Sequence, residues 1–178
     1  MKKIAIATLL SVFAVAPAVA ADVGPYVGAN VGSVNTDYTG SNSPTAFTLQ
    51  GGYQFNKNFA LEGQYGDFGN FAPVGSAKAT SLSAAAVGIL PFNDQWSGYG
   101  KLGVASIDTK ISGSGLAGGD GTYTKTGVTY GIGGQFNVNQ ALGIRFGVDQ
   151  YKSGGTQGGW VLKDGTLTVV SAGVIYKF

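Results

Sequence analysis

The chain has 178 residues, enough for one domain, and its composition excludes much of the usual protein chemistry. It contains no histidine and no cysteine, so the commonest general base, the commonest metal ligand, thiol nucleophiles and disulfides are all missing. Only 11% of the residues are charged, against about 25% in a typical soluble domain, whereas 44% are hydrophobic. We therefore expect no enzyme, no cofactor and no metal site, and a protein that water does not surround on all sides.

The first 20 residues have the pattern of a secretory signal peptide. Lysines at positions 2 and 3 precede an apolar run at 4–15, and Ala18-Val19-Ala20 forms a small-x-small cleavage pattern. Cleavage after Ala20 leaves a mature domain of residues 21–178. Because the two lysines account for the whole net charge of +2, this domain is neutral. Its remaining lysines form no basic stripe, so we expect no nucleic-acid partner.

After a first predicted strand at 26–34, residues alternate between two faces on either side of a tight turn at 56–58. One face is mainly apolar: Phe47, Leu49, Gly51, Tyr53 and Phe55 before the turn, and Phe59, Leu61, Gly63 and Tyr65 after it. The other face is polar or glycine: Thr48, Gln50, Gly52 and Gln54, then Ala60, Glu62, Gln64 and Gly66. A period of two is typical of β-strands, so this segment predicts a hairpin.

The same turn design occurs three times along the chain. QFNKNFALEGQYG from position 54 is similar to QFNVNQALGIRFG from position 135, and PFNDQWSGYGKLG from position 91 keeps the Phe-Asn turn. Three hairpins with terminal strands at 26–34 and 166–178 give eight strands. An even number of strands permits an all-β fold that closes as an antiparallel up-and-down barrel.

The connections between these strands are unequal in a regular way. The turns after the three phenylalanines are about three residues long, whereas the connections at 35–44, 69–80, 109–122 and 153–164 are longer and rich in glycine and serine. Short turns on one rim and long loops on the other, with strands of about 10 residues, are typical of outer-membrane barrels.

A closed sheet also suits lipid, where every backbone N–H and C=O must be paired within the protein. We therefore place the apolar face toward lipid and the glycine-rich face in the lumen. Aromatic residues near the short turns are predicted to form an interfacial girdle: Phe55, Phe59, Phe92, Trp96 and Phe136. The strand at 82–90 fits less well, because Val87 and Ile89 must point inward if Phe92 faces lipid, and its register stays open.

Four charged residues fall on the predicted inner face. Glu62, Lys101 and Arg145 lie seven or nine positions after a turn phenylalanine, so we expect them within about two residues of one height, near 7 Å at roughly 3.3 Å per residue. Asp149 lies four residues nearer the long loops. We predict that these charges form an ion network that plugs the lumen; the alternative is that they face water on a soluble barrel.

Five segments together carry a likeness to a known family: PYVGANVG from position 25, GYQFNKNFALEGQYGDFG from 52, GYGKLGV from 98, ALGIRFGVDQY from 141 and VSAGVIYKF from 170. The chain resembles the eight-stranded transmembrane domain of the outer-membrane protein A family, which has a similar charged cluster inside its barrels. Larger members add a peptidoglycan-binding domain after the barrel, and that activity is not carried over to a sequence that stops at Phe178.

The resemblance implies outer-membrane lipids and the barrel-assembly machinery as partners. In the family that machinery reads an alternating C-terminal strand, which corresponds here to Val170, Ala172, Val174, Tyr176 and Phe178.

We expect a non-enzymatic integral outer-membrane protein of a Gram-negative bacterium, with a structural role and four outer loops open to host or environmental ligands. A narrow porin-like channel is one alternative, which a filled lumen opposes. A surface adhesin or immune-evasion antigen is compatible with every feature above. An outer-membrane enzyme is disfavoured because histidine is absent, and a soluble lipocalin-type barrel would need its apolar face inward.

Overall fold

The computed structural model describes residues 23–36, 44–70, 76–112, 121–152 and 166–178. The expected signal peptide and its cleavage site lie outside these residues. The described chain forms eight strands: β1 Gly24–Thr36, β2 Thr45–Asn56, β3 Phe59–Asn70, β4 Ser76–Pro91, β5 Trp96–Ser112, β6 Gly121–Asn137, β7 Leu142–Lys152 and β8 Thr166–Lys177. Each strand pairs antiparallel with the next, and β8 pairs antiparallel with β1, so the sheet closes into the expected barrel.

The pairing register gives the stagger of this barrel. Starting at Tyr26 in β1 and stepping across directly paired residues through all eight strands, the path returns to β1 at Thr36, ten residues further along. With a rise of about 3.3 Å per residue and about 4.8 Å between strands, this stagger corresponds to a strand tilt of about 40°. The barrel is therefore narrow enough for side chains to fill its interior.

Exposure along the strands confirms the two predicted faces. In β2 and β3, exposed and buried residues alternate through nearly the whole length, with Phe47 and Leu61 outside and Gln50 and Glu62 inside. The open register of β4 is also resolved: Leu82 is 66% exposed, whereas Val87 is fully buried. Most apolar residues therefore point away from the lumen, and a smaller set that includes Phe68 and Val87 points into it.

The strands are longer than expected, with 11 to 17 residues instead of about 10. The predicted connections at 69–80 and 109–122 are therefore wrong in part, because β4 begins at Ser76, β5 continues to Ser112 and β6 begins at Gly121. These extensions contain threonines and lysines outside the apolar belt. β-Branched threonine favours strand pairing, so the ladder continues where the hydrophobic pattern has ended.

Asparagine side chains close the three short turns. The Oδ1 atom of Asn56 accepts a hydrogen bond from the amide of Asn58, and that of Asn93 accepts one from the amide of Trp96, at 2.8 and 2.7 Å. In the third turn the Oδ1 atom of Asn139, the second asparagine of its repeat, accepts a hydrogen bond from the amide of Leu142 at 2.8 Å. An asparagine that bonds to backbone two or three residues ahead is a common turn-former, which explains the repeated motif. The turns have two or four residues between strands.

The outward apolar belt matches the thickness of a membrane. It extends on β4 from Leu82 to Phe92, just beyond the strand end, and both residues are exposed. Ten residues at about 3.3 Å each, tilted by about 40°, span about 25 Å, the usual height of the apolar band of a transmembrane barrel. The part of the chain described by the structure contains no helix that is long and apolar enough to cross a membrane.

Candidate functional site

The lumen is filled in three layers. The layer nearest the long connections is apolar and consists of buried Val34, Ala46, Phe68, Ala79, Ala105, Tyr151 and Val169. The Phe68 and Tyr151 rings meet edge to face, with centroids 5.3 Å apart. The layer nearest the short turns is also apolar and consists of Tyr26, Ala60, Val87 and Ile175, with Ile89 and Tyr99 packed against them.

The middle layer holds the charged residues singled out from the sequence. The guanidinium of Arg145 forms an ion pair with Glu62. The ammonium of Lys101 lies 3.0 Å from Asp149 and 3.6 Å from Glu62. Glu62 and Arg145 are each only 4% exposed. The structure thus brings all four side chains into one buried cluster with two positive and two negative groups.

These side chains reach across the lumen from strands that are not neighbours, since Glu62 lies on β3, Lys101 on β5 and Arg145 on β7. A barrel of this width allows such contact because opposite walls are within reach of long side chains. Asp149 fits into the cluster only because its direct partner on β6 is a glycine, Gly131. A Cβ atom at that position would collide with the Asp149 carboxylate. Glycine at position 131 therefore leaves the space that Asp149 occupies.

Polar side chains join the charged layer to both apolar layers. The Tyr26 hydroxyl donates to Glu62 at 2.9 Å, and the Arg145 guanidinium lies over the Tyr99 ring at 4.2 Å. On the other side, Lys101 donates to Gln64 at 2.9 Å, and Gln64 donates to the Tyr151 hydroxyl at 3.2 Å. Buried charges are tolerated when they are paired and hydrogen-bonded. This connected set provides a partner for each charged group, while Arg145 Nε and Glu62 Oε1 make no hydrogen bond.

The middle layer is suited to stabilising the barrel and closing its lumen more than to catalysing a reaction. The space between Glu62, Gln64 and Lys101 is too small for a water molecule. Among the described residues no group of histidine, cysteine, aspartate and glutamate is arranged to hold a metal ion. The opposing charges form ion pairs across the lumen, so the middle layer links β3, β5 and β7.

The aromatic residues expected near the short turns lie at that rim and contact one another. The rings of Phe55 and Phe59 stack with centroids 5.9 Å apart, and those of Trp96 and Phe136 are 4.9 Å apart. Phe92 is 67% exposed. On β8, the outward positions include Val170, Ala172, Val174 and Tyr176. The alternation continues to Phe178, whose amide donates to the carbonyl of Pro25 at 3.1 Å, and its ring lies edge to face with Tyr176.

Sequence reasoning did not predict the two apolar layers, although it noted that Val87 and Ile89 must point inward if Phe92 faces lipid. The alternation of inward and outward residues, continued along each strand, would have predicted these layers. Phe68 follows Gln64 and Gly66 on the inner face of β3, and Val34 follows Gly32 on the inner face of β1. The roles of Tyr26, Tyr99 and Tyr151 had no such signal, because their partners lie on distant strands.

Comparisons with known proteins agree with this architecture. Residues 5–178 match the family described as outer membrane protein beta-barrel domain. Among solved structures, Neisserial surface protein A (NspA) is 22% identical, with a TM-score of 0.74, covering 87% of this chain and 97% of that one. Ail, the attachment invasion locus protein of Yersinia pestis, is 23% identical, with a TM-score of 0.58, covering 88% and 97%.

The N-terminal β-barrel domain of Pseudomonas aeruginosa OprF is 13% identical, with a TM-score of 0.60, covering 86% of this chain and 99% of that one. At these identities the likeness shows the shared fold. A comparison with curated protein sequences finds no match.

Proposed function

Because the chain belongs to the outer membrane protein beta-barrel domain family, and is thus an outer-membrane barrel protein, we propose that it is a non-enzymatic structural barrel with a closed lumen. The long connections between strands face the environment in this proposal, and the short turns face the periplasm. Barrels of this class commonly have short periplasmic turns and longer extracellular loops.

The observation that carries this proposal is the three-layer filling of the lumen. A conducting pore needs a continuous water path, but here an apolar layer around Phe68 and another around Val87 enclose a charged layer centred on Glu62. All three layers would have to open together for ions to pass. This arrangement favours a closed barrel over the narrow porin-like channel.

The proposed route to the membrane uses both ends of the chain. The signal peptide is cleaved after Ala20, and the outward residues at the C-terminal end, from Val170 to Phe178, present the alternating surface that the barrel-assembly machinery reads. The girdle residues, among them Trp96 and Phe136, then sit at the periplasmic interface, where aromatic rings are commonly placed.

Two measurements test the proposal. After membrane fractionation, the protein is expected in the outer membrane and should migrate differently in SDS electrophoresis before and after boiling, because a closed barrel resists unheated detergent. In planar lipid bilayers the purified protein should give no steady conductance. Recovery in the soluble periplasmic fraction would contradict a role as an outer-membrane barrel. Reproducible single-channel steps would contradict a closed lumen and support the porin-like channel.

A surface adhesin or immune-evasion antigen is the second candidate, and the projecting strands support it. Strands β5 and β6 stay paired from Val104 and Val128 to Ile111 and Gly121, seven residues further toward the long connections. Replacing the outer connections one at a time with short Gly-Ser turns, followed by host-cell binding assays, separates this role from a purely structural one. Unchanged cell binding in every replacement excludes the adhesin.

A further inference from the structure

A groove of about 410 Å³ lies on the lipid-facing wall of β7 and β8, at mid-membrane depth. It is lined by Phe146, Gly147, Val148, Val170, Ser171 and Ala172. Phe146, Val148 and Val170 are between 37% and 47% exposed, so their side chains border an open apolar depression.

The groove has a specific structural cause. Phe146 is paired with Gly134 on one side and with Ala172 on the other. Its ring leans over Gly134, where an added Cβ atom would lie 2.6 Å from the ring, and approaches Trp96 with centroids 6.4 Å apart. Because the ring tilts toward β6, it leaves Ala172 uncovered.

A cation, the ammonium of Lys152 on β7, lies beyond the groove toward the long connections. Outward-facing pairs run from Phe146 and Ala172 at the groove to Lys152 and Thr166 at the end of the wall. Lys152 is four residues beyond Val148, about 13 Å along the strand at roughly 3.3 Å per residue. This distance places its ammonium just outside the apolar belt, at the depth of lipid headgroups.

The surroundings of Lys152 favour an anionic partner. Its ammonium lies 5.4 Å from the centre of the Tyr130 ring, and the Tyr130 hydroxyl donates to Gln150 at 2.6 Å. The outward positions of β6, β7 and β8 in the described residues include no carboxylate, and Asp149 points into the lumen. The carboxylate of Asp108, on the adjacent strand β5, accepts a hydrogen bond from Thr124 at 2.6 Å. An exposed ammonium beside a tyrosine and several hydroxyls is suited to phosphate oxygens.

We propose that this wall is a binding site for a phosphorylated acyl lipid of the outer leaflet, with one acyl chain in the groove and a headgroup phosphate at Lys152. The site rests on the proposed function, because the long-loop rim must face outward for Lys152 to reach that leaflet. Depth, apolar lining and a cation at one end match such a lipid. A soluble polyanion would not occupy the mid-membrane groove.

Native mass spectrometry of the detergent-purified barrel tests this site, with bis-phosphorylated lipid A and the same lipid after dephosphorylation as probes. Lys152→Gln should weaken binding of the phosphorylated lipid about fivefold, the loss expected from removing about 1 kcal/mol of attraction for one lysine near an anionic surface. Ala172→Phe fills the groove and should weaken binding of both lipids.

Two matched variants serve as controls. Lys110→Gln removes an exposed lysine from the same rim but from β5, and Ala84→Phe adds a ring to the outward face of β4 at a similar depth. Both should change affinity less than twofold. If Ala172→Phe does not fold, the comparison of Lys152→Gln with Lys110→Gln still decides the question.

Equal loss in Lys152→Gln and Lys110→Gln, or equal binding of the two lipids by the unaltered protein, overturns the proposal. Heat-shifted migration is measured for every variant, so failure of this site in a folded outer-membrane barrel is distinct from failure of the proposed function. Binding of free inorganic phosphate that displaces no lipid also contradicts the site.

Discussion

Glu62 is the residue on which the middle layer depends most. Its carboxylate pairs with Arg145, lies 3.6 Å from Lys101 and accepts a hydrogen bond from Tyr26. Removing one partner from a buried ion pair leaves an uncompensated charge, here that of Arg145.

We expect Glu62→Ala to lower the free energy of unfolding by about 3–5 kcal/mol, for that reason. Urea titration of the barrel in lipid vesicles measures the change. Asp94→Ala, at an exposed turn position, is the control and should change stability by less than about 0.5 kcal/mol. An equal, small effect of both substitutions would show that the buried network contributes no stability.

Gly131 gives a second prediction at the scale of one residue. Gly131→Ala should destabilise the barrel by about 1–3 kcal/mol, because the new methyl group would overlap the Asp149 carboxylate. Gly88→Ala is the matched control, since a Cβ atom there would find its nearest neighbour, the carbonyl oxygen of Gly100, at 3.9 Å. Unfolding midpoints of the two variants in the same vesicles should differ, and a similar midpoint would contradict the packing described for Asp149.

At the scale of the element, each strand has one face for lipid and one for the lumen, and depth decides the cost of a charge on the lipid face. Leu61 on β3 lies near mid-depth and is 49% exposed, whereas Thr45 is exposed at the start of β2, near the outer edge of the belt. The apolar surroundings at mid-depth cannot solvate a guanidinium, but those near the interface can.

Leu61→Arg should therefore reduce stability in bilayers by about 2–4 kcal/mol, and Thr45→Arg by about 0–1 kcal/mol. Equilibrium unfolding in vesicles measures both. Similar costs at the two positions would mean that the apolar belt does not lie between them as described.

Strand faces were predictable from the sequence because a period of two is local. The positions of Phe47, Leu49 and Gln50 follow from their neighbours alone. Strand ends were less predictable, because β5 and β6 continue through Thr109 and Thr124 by pairing with each other, and pairing is not visible in either segment by itself.

At the scale of the whole molecule, closure of the sheet creates a lumen whose three layers are stacked along the barrel axis. Phe68 and Val87 belong to different apolar layers, and the charged cluster lies between them. The two apolar layers are separate clusters, so a defect in one should leave the other closed.

Phe68→Ala should cost about 3–5 kcal/mol, and its effect should add to that of Val87→Ala within about 0.5 kcal/mol, because the two sites share no contact. Neither single variant should conduct in planar bilayers, since two layers remain filled. Steady conductance of Phe68→Ala alone would show that the outer layer by itself closes the lumen.

The sequence alone determined the barrel class, the number of strands, the two faces of the strands other than β4 and the charges that enter the lumen, because alternation and turn motifs are properties of neighbouring residues. Only the tertiary structure decided which charges meet, how the apolar layers close the lumen and why Phe146 leaves a groove on the outer wall. Those contacts join strands far apart in the chain, such as Glu62 with Arg145, and depend on the stagger at which the sheet closes. No local pattern encodes that stagger, since it results from the packing of all eight strands together.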